Sequence, residues 1–419
     1  MDYLEMLKAI PSHRPALIED SVHYTYGDLV RDAGQWTNDT AVLHTSGPTS
    51  PVWIQSDSVY SQLVSFLACT HTGRVPVILP PDNRHPPVLS SGIAIPDRAC
   101  MGVLTSGTTG IPRLWFRSFE SWYDFFPVQN KIFGISEDTR MFVHGSLAFT
   151  GNLNLYLALL SVGALLITCT PVHPPSWNRS ISQHHANAVY LIPSKLRLLA
   201  KTAAAPSNQV RTILAGSQSM DAKDLQMLKQ AFPRSRCTLY YGSSELSYVS
   251  YLHDQEMDGD PTCVGRPFPG VGITIEDGMI MADTPCCALG IQAPFSAGDM
   301  GYLDQRGSLH LLGRKDNVYN IHGRKVPVLL VEHALTDLDE VNEAVVVMEH
   351  DSLTAYVVLS PGFDLPDSRA SSRQLTIHLT EMLKQSLDPF HLPRRIYYCR
   401  EIPKNNSGKP VPSLLSAVR

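Results

Sequence analysis

Apolar runs alternate with helix-like segments through the middle of the chain. Short runs rich in β-branched residues predict strands, and segments with apolar positions three or four residues apart predict helices. In chain order these are a strand over residues 188–192, a helix over 194–204, a strand over 210–215, a helix over 222–232 and a strand over 237–241. Such alternation favours parallel βαβ units. The most apolar stretch, residues 153–168, is too short to span a bilayer and predicts a buried helix followed by a strand.

The pattern changes towards the C-terminus. Asp277-Gly278 lies between two alternating runs in residues 273–281 and predicts a hairpin. After Arg314 we expect a helix over 332–338, strands over 344–348 and 354–359, an amphipathic helix over 374–387 and a strand over 396–399. The predicted fold class is therefore α/β, with a large N-terminal domain of βαβ layers over residues 1–315 and a small α+β domain over 317–419.

Composition indicates a globular protein of more than one domain. The chain has 419 residues, of which 43% are hydrophobic and 17% charged. Its net charge of −5 gives no electrostatic case for nucleic acid. The first ten residues carry charges and lack the apolar core of a signal peptide. Eight cysteines without regular spacing favour reduced thiols over a disulfide framework or a zinc site, so we expect a cytoplasmic protein. Because the most apolar stretch is too short, we also expect no membrane span.

One segment carries strong chemical information: residues 104–112 read L-T-S-G-T-T-G-I-P. Gly107 and Gly110 permit backbone angles that let successive N–H groups turn inward and form an anion-binding concavity. Hydroxyls surround the two glycines, and Arg113 adds a cation. The segment suits a polyphosphate, although it lacks the Gly-Lys-Ser/Thr ending of a Walker A loop. The alternative is a plain surface loop. The hydroxyl-bearing residues are Thr105, Ser106, Thr108 and Thr109.

Four further motifs follow this loop in a definite order. They are Y-Y-G-S-S-E at 240–245, Gly298-Asp299, G-R-K-D at 313–316 continuing to Gly323, and P-K-N-N-S-G-K at 403–409. Together with the loop, this series resembles the adenylate-forming superfamily: acyl- and aryl-CoA synthetases, nonribosomal peptide adenylation domains and luciferases. In that family a carboxylate attacks the α-phosphate of ATP, giving acyl-AMP and pyrophosphate, and a thiol then takes the acyl group.

The resemblance implies a role for each motif. The loop would bind the β- and γ-phosphates, with Thr109 and Arg113 taking part in catalysis. Glu245 would be both catalytic and the residue that helps hold Mg²⁺, a hard cation that prefers oxygen ligands. Tyr241 would stack on adenine. The other nucleotide-binding residues implied around it are Gly216, Gly242 and Ser244.

The C-terminal motifs are implied to complete the chemistry. Asp299 would accept hydrogen bonds from both ribose hydroxyls, supported by Arg314. Asp316 matches the hinge about which the small domain of relatives turns between two half-reactions, and Gly323 would line the thiol tunnel. Lys409 would reach the acyl carboxylate and the α-phosphate, stabilising negative charge in the transition state.

Departures from the family pattern bear on the substrate. Arg113 stands where relatives usually have lysine, Asn320 where many have lysine, and Ser413 where an arginine is common. Thr150 takes the place of the aspartate that pairs with the ammonium of amino-acid substrates, and a buried ammonium without that counter-ion is costly. An aryl or acyl acid is therefore favoured over an α-amino acid. The candidate pocket residues are His144, Ser146, Phe149, Thr150, Asn152 and Ser217.

The sequence thus predicts an acid–thiol ligase that uses ATP and Mg²⁺, with CoA as the favoured thiol. One alternative is a stand-alone adenylation enzyme that loads the phosphopantetheine arm of an acyl carrier protein. Another is a nucleotide-binding regulatory protein without catalysis, which the joint presence of Glu245, Asp299, Arg314 and Lys409 disfavours. The expected partners are a small-molecule carboxylic acid and, in the first alternative, the carrier protein.

Overall fold

The structure is a computed structural model that describes residues 2–36, 42–44, 50–81, 93–105, 113–321, 324–350, 352–404 and 410–418. The chain divides into two compact units. Unit 1 comprises Met1–Gly259, Val264–Ile273 and Ala282–Ala297, and unit 2 comprises Asp260–Cys263, Thr274–Met281 and Gly298–Arg419.

Unit 1 consists of helices packed on two sheets. Its helices are α1 (Tyr3–Lys8), α2 (Tyr26–Gly34), α3 (Val59–His71), α4 (Glu120–Tyr123), α5 (Phe126–Phe133), α6 (Thr150–Ser161), α7 (Pro174–Gln183), α8 (Pro193–Lys201) and α9 (Ala222–Ala231). Its strands are β1 (Pro15–Glu19), β2 (Val22–Thr25), β3 (Val42–His44), β4 (Val52–Ile54), β5 (Pro76–Ile78), β6 (Met101–Thr105), β7 (Arg113–Arg117), β8 (Arg140–Val143), β9 (Leu165–Thr168), β10 (Ala188–Tyr190), β11 (Thr212–Gly216), β12 (Arg236–Ser243), β13 (Ser247–His253) and β14 (Cys263–Pro267).

The larger sheet of unit 1 is parallel in its centre. The neighbouring strands β12, β11, β10, β8, β9 and β1 run in the same direction, and β13 and β2 flank them as antiparallel neighbours. A second sheet has the order β3-β4-β5-β6-β7. In a parallel sheet of this kind, ligands bind beyond the carboxyl ends of the strands. Because β8, β10, β11 and β12 are parallel, their carboxyl ends lie at the same edge of the sheet, which we call the carboxyl edge.

The predicted elements of unit 1 are confirmed with small shifts at their ends. The helix and strand predicted over 153–168 are α6 and β9, and the alternating elements over 188–241 are β10, α8, β11, α9 and β12. α6 is apolar on all sides because it is enclosed: Leu155, Leu157, Leu159 and Leu160 are all at most 1% exposed. Its first residue is Thr150, so this enclosed helix places a candidate pocket residue at the carboxyl edge.

Unit 2 is an α+β unit. Its helices are α10 (Val328–Thr336) and α11 (Arg369–Leu383), and its strands are β15 (Gly272–Glu276), β16 (Met279–Asp283), β17 (Asp299–Leu303), β18 (Leu309–Arg314), β19 (Val318–Ile321), β20 (Arg324–Pro327), β21 (Val341–Glu349), β22 (Ser352–Leu359) and β23 (Arg395–Tyr398). β21, β22 and β23 form one sheet. Leu379 and Leu383 of α11 and Val331 and Leu335 of α10 are fully buried in the core that this sheet shares with them.

The predicted fold class is confirmed: a large N-terminal α/β unit and a small C-terminal α+β unit. The hairpin at Asp277-Gly278 is also confirmed: these two residues join the neighbouring strands β15 and β16 and have positive φ, +52° and +82°. Asp316 lies in a short 3-10 turn inside unit 2, between β18 and β19, and the hinge and domain boundary proposed there stay predictions. Within the described residues, every helix is too short or too polar to cross a membrane.

Candidate active site

The predicted phosphate-binding segment connects two antiparallel strands. β6 ends at Thr105 and β7 begins at Arg113, and these two residues lie opposite each other in the register. Thr105 is half-buried and Arg113 is exposed. The remaining predicted loop residues, Ser106, Gly107, Thr108, Thr109 and Gly110, lie outside the described residues, as do Gly323 and Lys409.

Glu245 lies in the turn that joins β12 to β13. Ser243 pairs with Ser247 across this turn, and the backbone N–H of Leu246 donates to Ser243 Oγ at 3.2 Å. Gly242 is required here, because a methyl group on it would collide with the carbonyl oxygen of Ser247. The turn presents Glu245 half-buried. A carboxylate among hydroxyl-bearing neighbours provides the hard oxygen ligands that suit Mg²⁺.

Arg117, at the end of β7, lies behind this turn. It is fully buried, and its guanidinium donates to the carbonyl oxygens of Ser244 at 2.6 Å and Cys286 at 2.8 Å. The guanidinium carbon lies 5.1 Å from the centre of the Trp122 ring. Burial lowers the pKa of Arg117 to about 10, so it remains charged at neutral pH. A buried cation therefore holds the residue that precedes Glu245.

Three more contacts position the same turn. The indole N–H of Trp122 donates to Ser247 Oγ at 2.8 Å, and the N–H of Ala288 donates to the carbonyl oxygen of Glu245 at 2.8 Å. Ser244 Oγ donates to Thr150 Oγ1 at 2.9 Å. Glu245 is thus held through its backbone and its neighbours, and none of these contacts uses its carboxylate.

Sequence reasoning missed Arg117. The available signal was an arginine that directly follows three apolar residues, Leu114-Trp115-Phe116-Arg117. Charged residues are almost never fully buried unless they are partnered, but the partners here are carbonyl groups from residues far along the chain. Only the folded structure shows them.

Replacing Arg117 by alanine is expected to lower the free energy of unfolding by about 3 kcal/mol, because two buried carbonyl groups lose charged hydrogen bonds. Urea unfolding followed by tryptophan fluorescence measures this loss. Arg117→Lys keeps the charge with fewer donors and should lose less. Arg234, which is exposed, provides the control: Arg234→Ala should leave stability unchanged. An Arg117→Ala protein as stable as the wild type would contradict this role.

Gly216 and Tyr241 both lie at the carboxyl edge, at the ends of β11 and β12. Gly216 ends β11 and lies beside Tyr240 in the parallel register. A methyl group on Gly216 would approach Cε1 of Tyr240 to 2.6 Å, so a larger residue does not fit. Alternate residues of a strand point to opposite faces, and accordingly Tyr240 is buried while Tyr241 is half-buried. Ser217, which follows Gly216, is exposed and has φ of +67°.

Four of the six candidate pocket residues lie in the loop before α6 or in the first turn of α6. Ser146 Oγ donates to Gln62 Oε1 at 3.1 Å, and Asn152 Nδ2 donates to the Ser146 carbonyl oxygen at 3.1 Å. These two side chains hold the loop before α6. Thr150 and Phe149 lie at the other end of that loop, where Thr150 accepts the hydrogen bond from Ser244. The structure therefore brings Thr150 next to the Glu245 turn.

His144 lies in different surroundings, at the end of β8. Lys195 Nζ donates to its Nδ1 at 3.0 Å, and its ring lies 4.7 Å from the ring of Trp177. Because an ammonium can only donate, Nδ1 must accept and the imidazole is neutral. Burial, and secondly the charge of Lys195, lower the pKa of His144 to about 4.

This geometry predicts a pH-dependent loss of stability. The folded pKa of His144 lies below the ordinary value of 6.5, so between about pH 6.5 and pH 4 the unfolded chain binds a proton that the folded chain does not. At pH 5 we expect this to remove about 2 kcal/mol of stability relative to pH 7. Urea unfolding at both pH values should show a smaller decrease in His144→Asn. His13→Asn, at an exposed position, should behave like the wild type, and an equal decrease in all three proteins would contradict the prediction.

In unit 2 the structure brings Asp299 and Arg314 together. The first residue of β17 lies opposite the last residue of β18, and Arg314 Nε lies 3.1 Å from Asp299 Oδ1. Asp299 is 8% exposed. Gly298, with φ of +91°, allows the chain to turn into β17 beside Arg314. The pairing fits the roles that the resemblance implies, and those roles stay predictions.

Two family models and several known proteins match this chain. Residues 90–286 match the family model described as AMP-binding enzyme, and residues 330–409 match the AMP-binding enzyme C-terminal domain. The uncharacterized acyl–CoA ligase YhfT of Bacillus subtilis is 26% identical over 73% of this chain and 65% of its own length. The 3,4-dihydroxybenzoate–[aryl-carrier protein] ligase of Bacillus anthracis is 25% identical over 74% of this chain and 72% of its own.

A solved structure shares the fold. The O-succinylbenzoate coenzyme A synthetase MenE of Bacillus subtilis, in complex with ATP and magnesium ion, superposes with a TM-score of 0.82 at 18% identity, covering 99% of each chain. The two family models together match more than half of this chain, in the order of the motifs described above. The chain therefore belongs to the AMP-binding enzymes of the adenylate-forming superfamily.

Proposed function

We propose that this protein activates an aryl or acyl carboxylic acid as its acyl-AMP and transfers the acyl group to the thiol of CoA. ATP and Mg²⁺ serve the first step, in which the acid's carboxylate oxygen bonds to the α-phosphorus and pyrophosphate leaves. In the second step the thiol displaces AMP and releases its proton. The observation that carries the proposal is the turn bearing Glu245, which four separate contacts hold beside the residues of the carboxyl edge.

The environment of Thr150 supports the restriction on the acid. Its hydroxyl oxygen accepts from Ser244 at 2.9 Å, so the position faces a neutral hydroxyl and supplies no carboxylate for an ammonium. Leaving an ammonium unpaired in a half-buried site costs free energy. We infer that α-amino acids are poor substrates.

The second candidate is a ligase that loads the phosphopantetheine arm of a carrier protein. The relative from Bacillus anthracis, whose name specifies an aryl-carrier protein, favours it. Both candidates share the adenylation step and differ only in what presents the thiol. Thioester formation, measured once with free CoA and once with phosphopantetheine attached to a carrier protein, therefore discriminates between them.

Pyrophosphate release in the presence of ATP and Mg²⁺ tests the proposal. The panel contains short and long fatty acids, benzoate and α-amino acids, each with and without CoA. Release that depends on a non-amino acid, with a thioester formed when CoA is present, is the expected result. Release with α-amino acids alone would overturn the substrate class, and no release with any acid would overturn the activity. Thioester on a carrier protein but not on CoA would favour the second candidate.

A further inference from the structure

Tyrosine side chains fill the interior of unit 1 directly below the carboxyl edge. Tyr190 ends β10, Tyr240 lies in β12 and Tyr248 lies in β13; they are 2%, 8% and 5% exposed. The Tyr240 and Tyr248 rings meet edge to face, with centres 4.8 Å apart. A group that enters unit 1 from this edge meets these rings.

Two glycines lie directly against these tyrosines. A methyl group on Gly151, in the first turn of α6, would lie 2.7 Å from the hydroxyl of Tyr190 and 3.0 Å from that of Tyr240. The ring of Tyr240 likewise lies directly on Gly216. Carbon atoms in ordinary contact lie about 3.5–4.0 Å apart, so not even one extra carbon fits at either place.

The two phenol hydroxyls also hold each other. They lie 2.6 Å apart and are buried, so one donates to the other. This hydrogen bond joins β10 to β12 across residues far apart in the chain and keeps both rings in place. Opening the space would break a buried hydrogen bond and displace core rings, both of which are costly.

We propose that the acid activated by this protein is short, of the size of acetate or propionate. This inference rests on the proposed function, because it takes the reacting carboxylate to lie beside Gly216, Tyr241 and Glu245. From that position the organic part of the acid extends towards Thr150 and Gly151. The hydroxyls of Thr150 and Ser244 lie at the entrance, and the paired tyrosine hydroxyls close the far side. We expect a phenyl ring or a long chain to collide with the side chains of Tyr190 and Tyr240, which already lie against Gly151.

The test compares acids of increasing length on the wild-type enzyme. Pyrophosphate release is measured with acetate, propionate, hexanoate, octanoate and benzoate at matched concentrations. We expect kcat/KM to be highest for acetate or propionate and to fall by at least about tenfold for hexanoate and for benzoate. A preference for octanoate or benzoate overturns the inference and leaves the proposed function standing. No release with any acid overturns both.

Two variants test whether the tyrosines set the length. Tyr240→Leu removes the ring and its hydroxyl and should raise the hexanoate-to-propionate ratio of kcat/KM by at least about tenfold. Tyr190→Phe keeps the ring and removes one hydroxyl, so the ratio should stay within about threefold of the wild type. Phe133→Leu is the matched control, because its ring also packs on Tyr240, at 5.9 Å between ring centres, and is not among the nearest contacts of Gly151. An unchanged ratio in a folded Tyr240→Leu protein overturns the inference; if that protein does not fold, the wild-type comparison decides.

Discussion

Replacing Glu245 by glutamine is expected to slow acid-dependent exchange of pyrophosphate into ATP by at least about 100-fold, since a preorganised charge in the site is lost. Glutamine has the same shape but cannot provide an anionic oxygen for Mg²⁺. The turn should stay in place, because the hydrogen bonds that hold it use the carbonyl oxygens of Ser244 and Glu245 and the side chain of Ser247. The loss would then report on chemistry and not on folding.

The Mg²⁺ dependence makes this prediction specific. If Glu245 helps to hold the cation, the exchange rate of Glu245→Gln should need a higher Mg²⁺ concentration for half-saturation. Glu276, which is exposed in β15, is the matched control, and Glu276→Gln should leave both rate and Mg²⁺ dependence unchanged. An exchange rate near that of the wild type in Glu245→Gln would exclude this residue from the reaction.

The second large effect is expected at Lys409. Replacing it by alanine should slow the same exchange about 10²- to 10³-fold, because its charge would stabilise the negative charge that develops as the acid attacks the α-phosphate. Transfer from supplied acyl-AMP to CoA should proceed close to the wild-type rate, since that step makes no new bond to phosphorus. Both half-reactions are measured on one protein preparation. A general loss of folded protein would slow both of them equally, whereas loss of the Lys409 charge should slow exchange alone.

Lys404 provides the control for Lys409, because both belong to the motif at residues 403–409. Its Nζ lies 2.7 Å from Glu343 Oε1, so its charge already has a partner inside unit 2. Lys404→Ala should therefore leave exchange nearly unchanged and cost at most about 1 kcal/mol of stability. Equal losses in Lys404→Ala and Lys409→Ala would show that the motif acts structurally, and unchanged exchange in Lys409→Ala would remove its catalytic assignment.

The periodicity of the chain predicts most of the described elements because helices and half-buried strands carry local patterns. The ends are less certain. α11 begins at Arg369, five residues before the predicted start, because Ser368 caps it in a box with Ser371 while its first turn is polar. The units are also discontinuous in sequence: residues 260–263 and 274–281 belong to unit 2. The pattern of apolar residues does not show to which unit a short segment of the chain belongs.

The residue types and order of the motifs were sufficient to identify the family, because its members carry particular charged groups and glycines in a fixed order. Tyr241, Glu245, Asp299 and Arg314 were named on that basis, and the register of β17 and β18 brings the last two together. Tertiary structure alone decided what supports and limits the site. Arg117 meets the carbonyl of Ser244, and the hydroxyl of Tyr190 meets that of Tyr240, 50 positions along the chain. Such contacts depend on which strands become neighbours and at what register, and no local pattern encodes that.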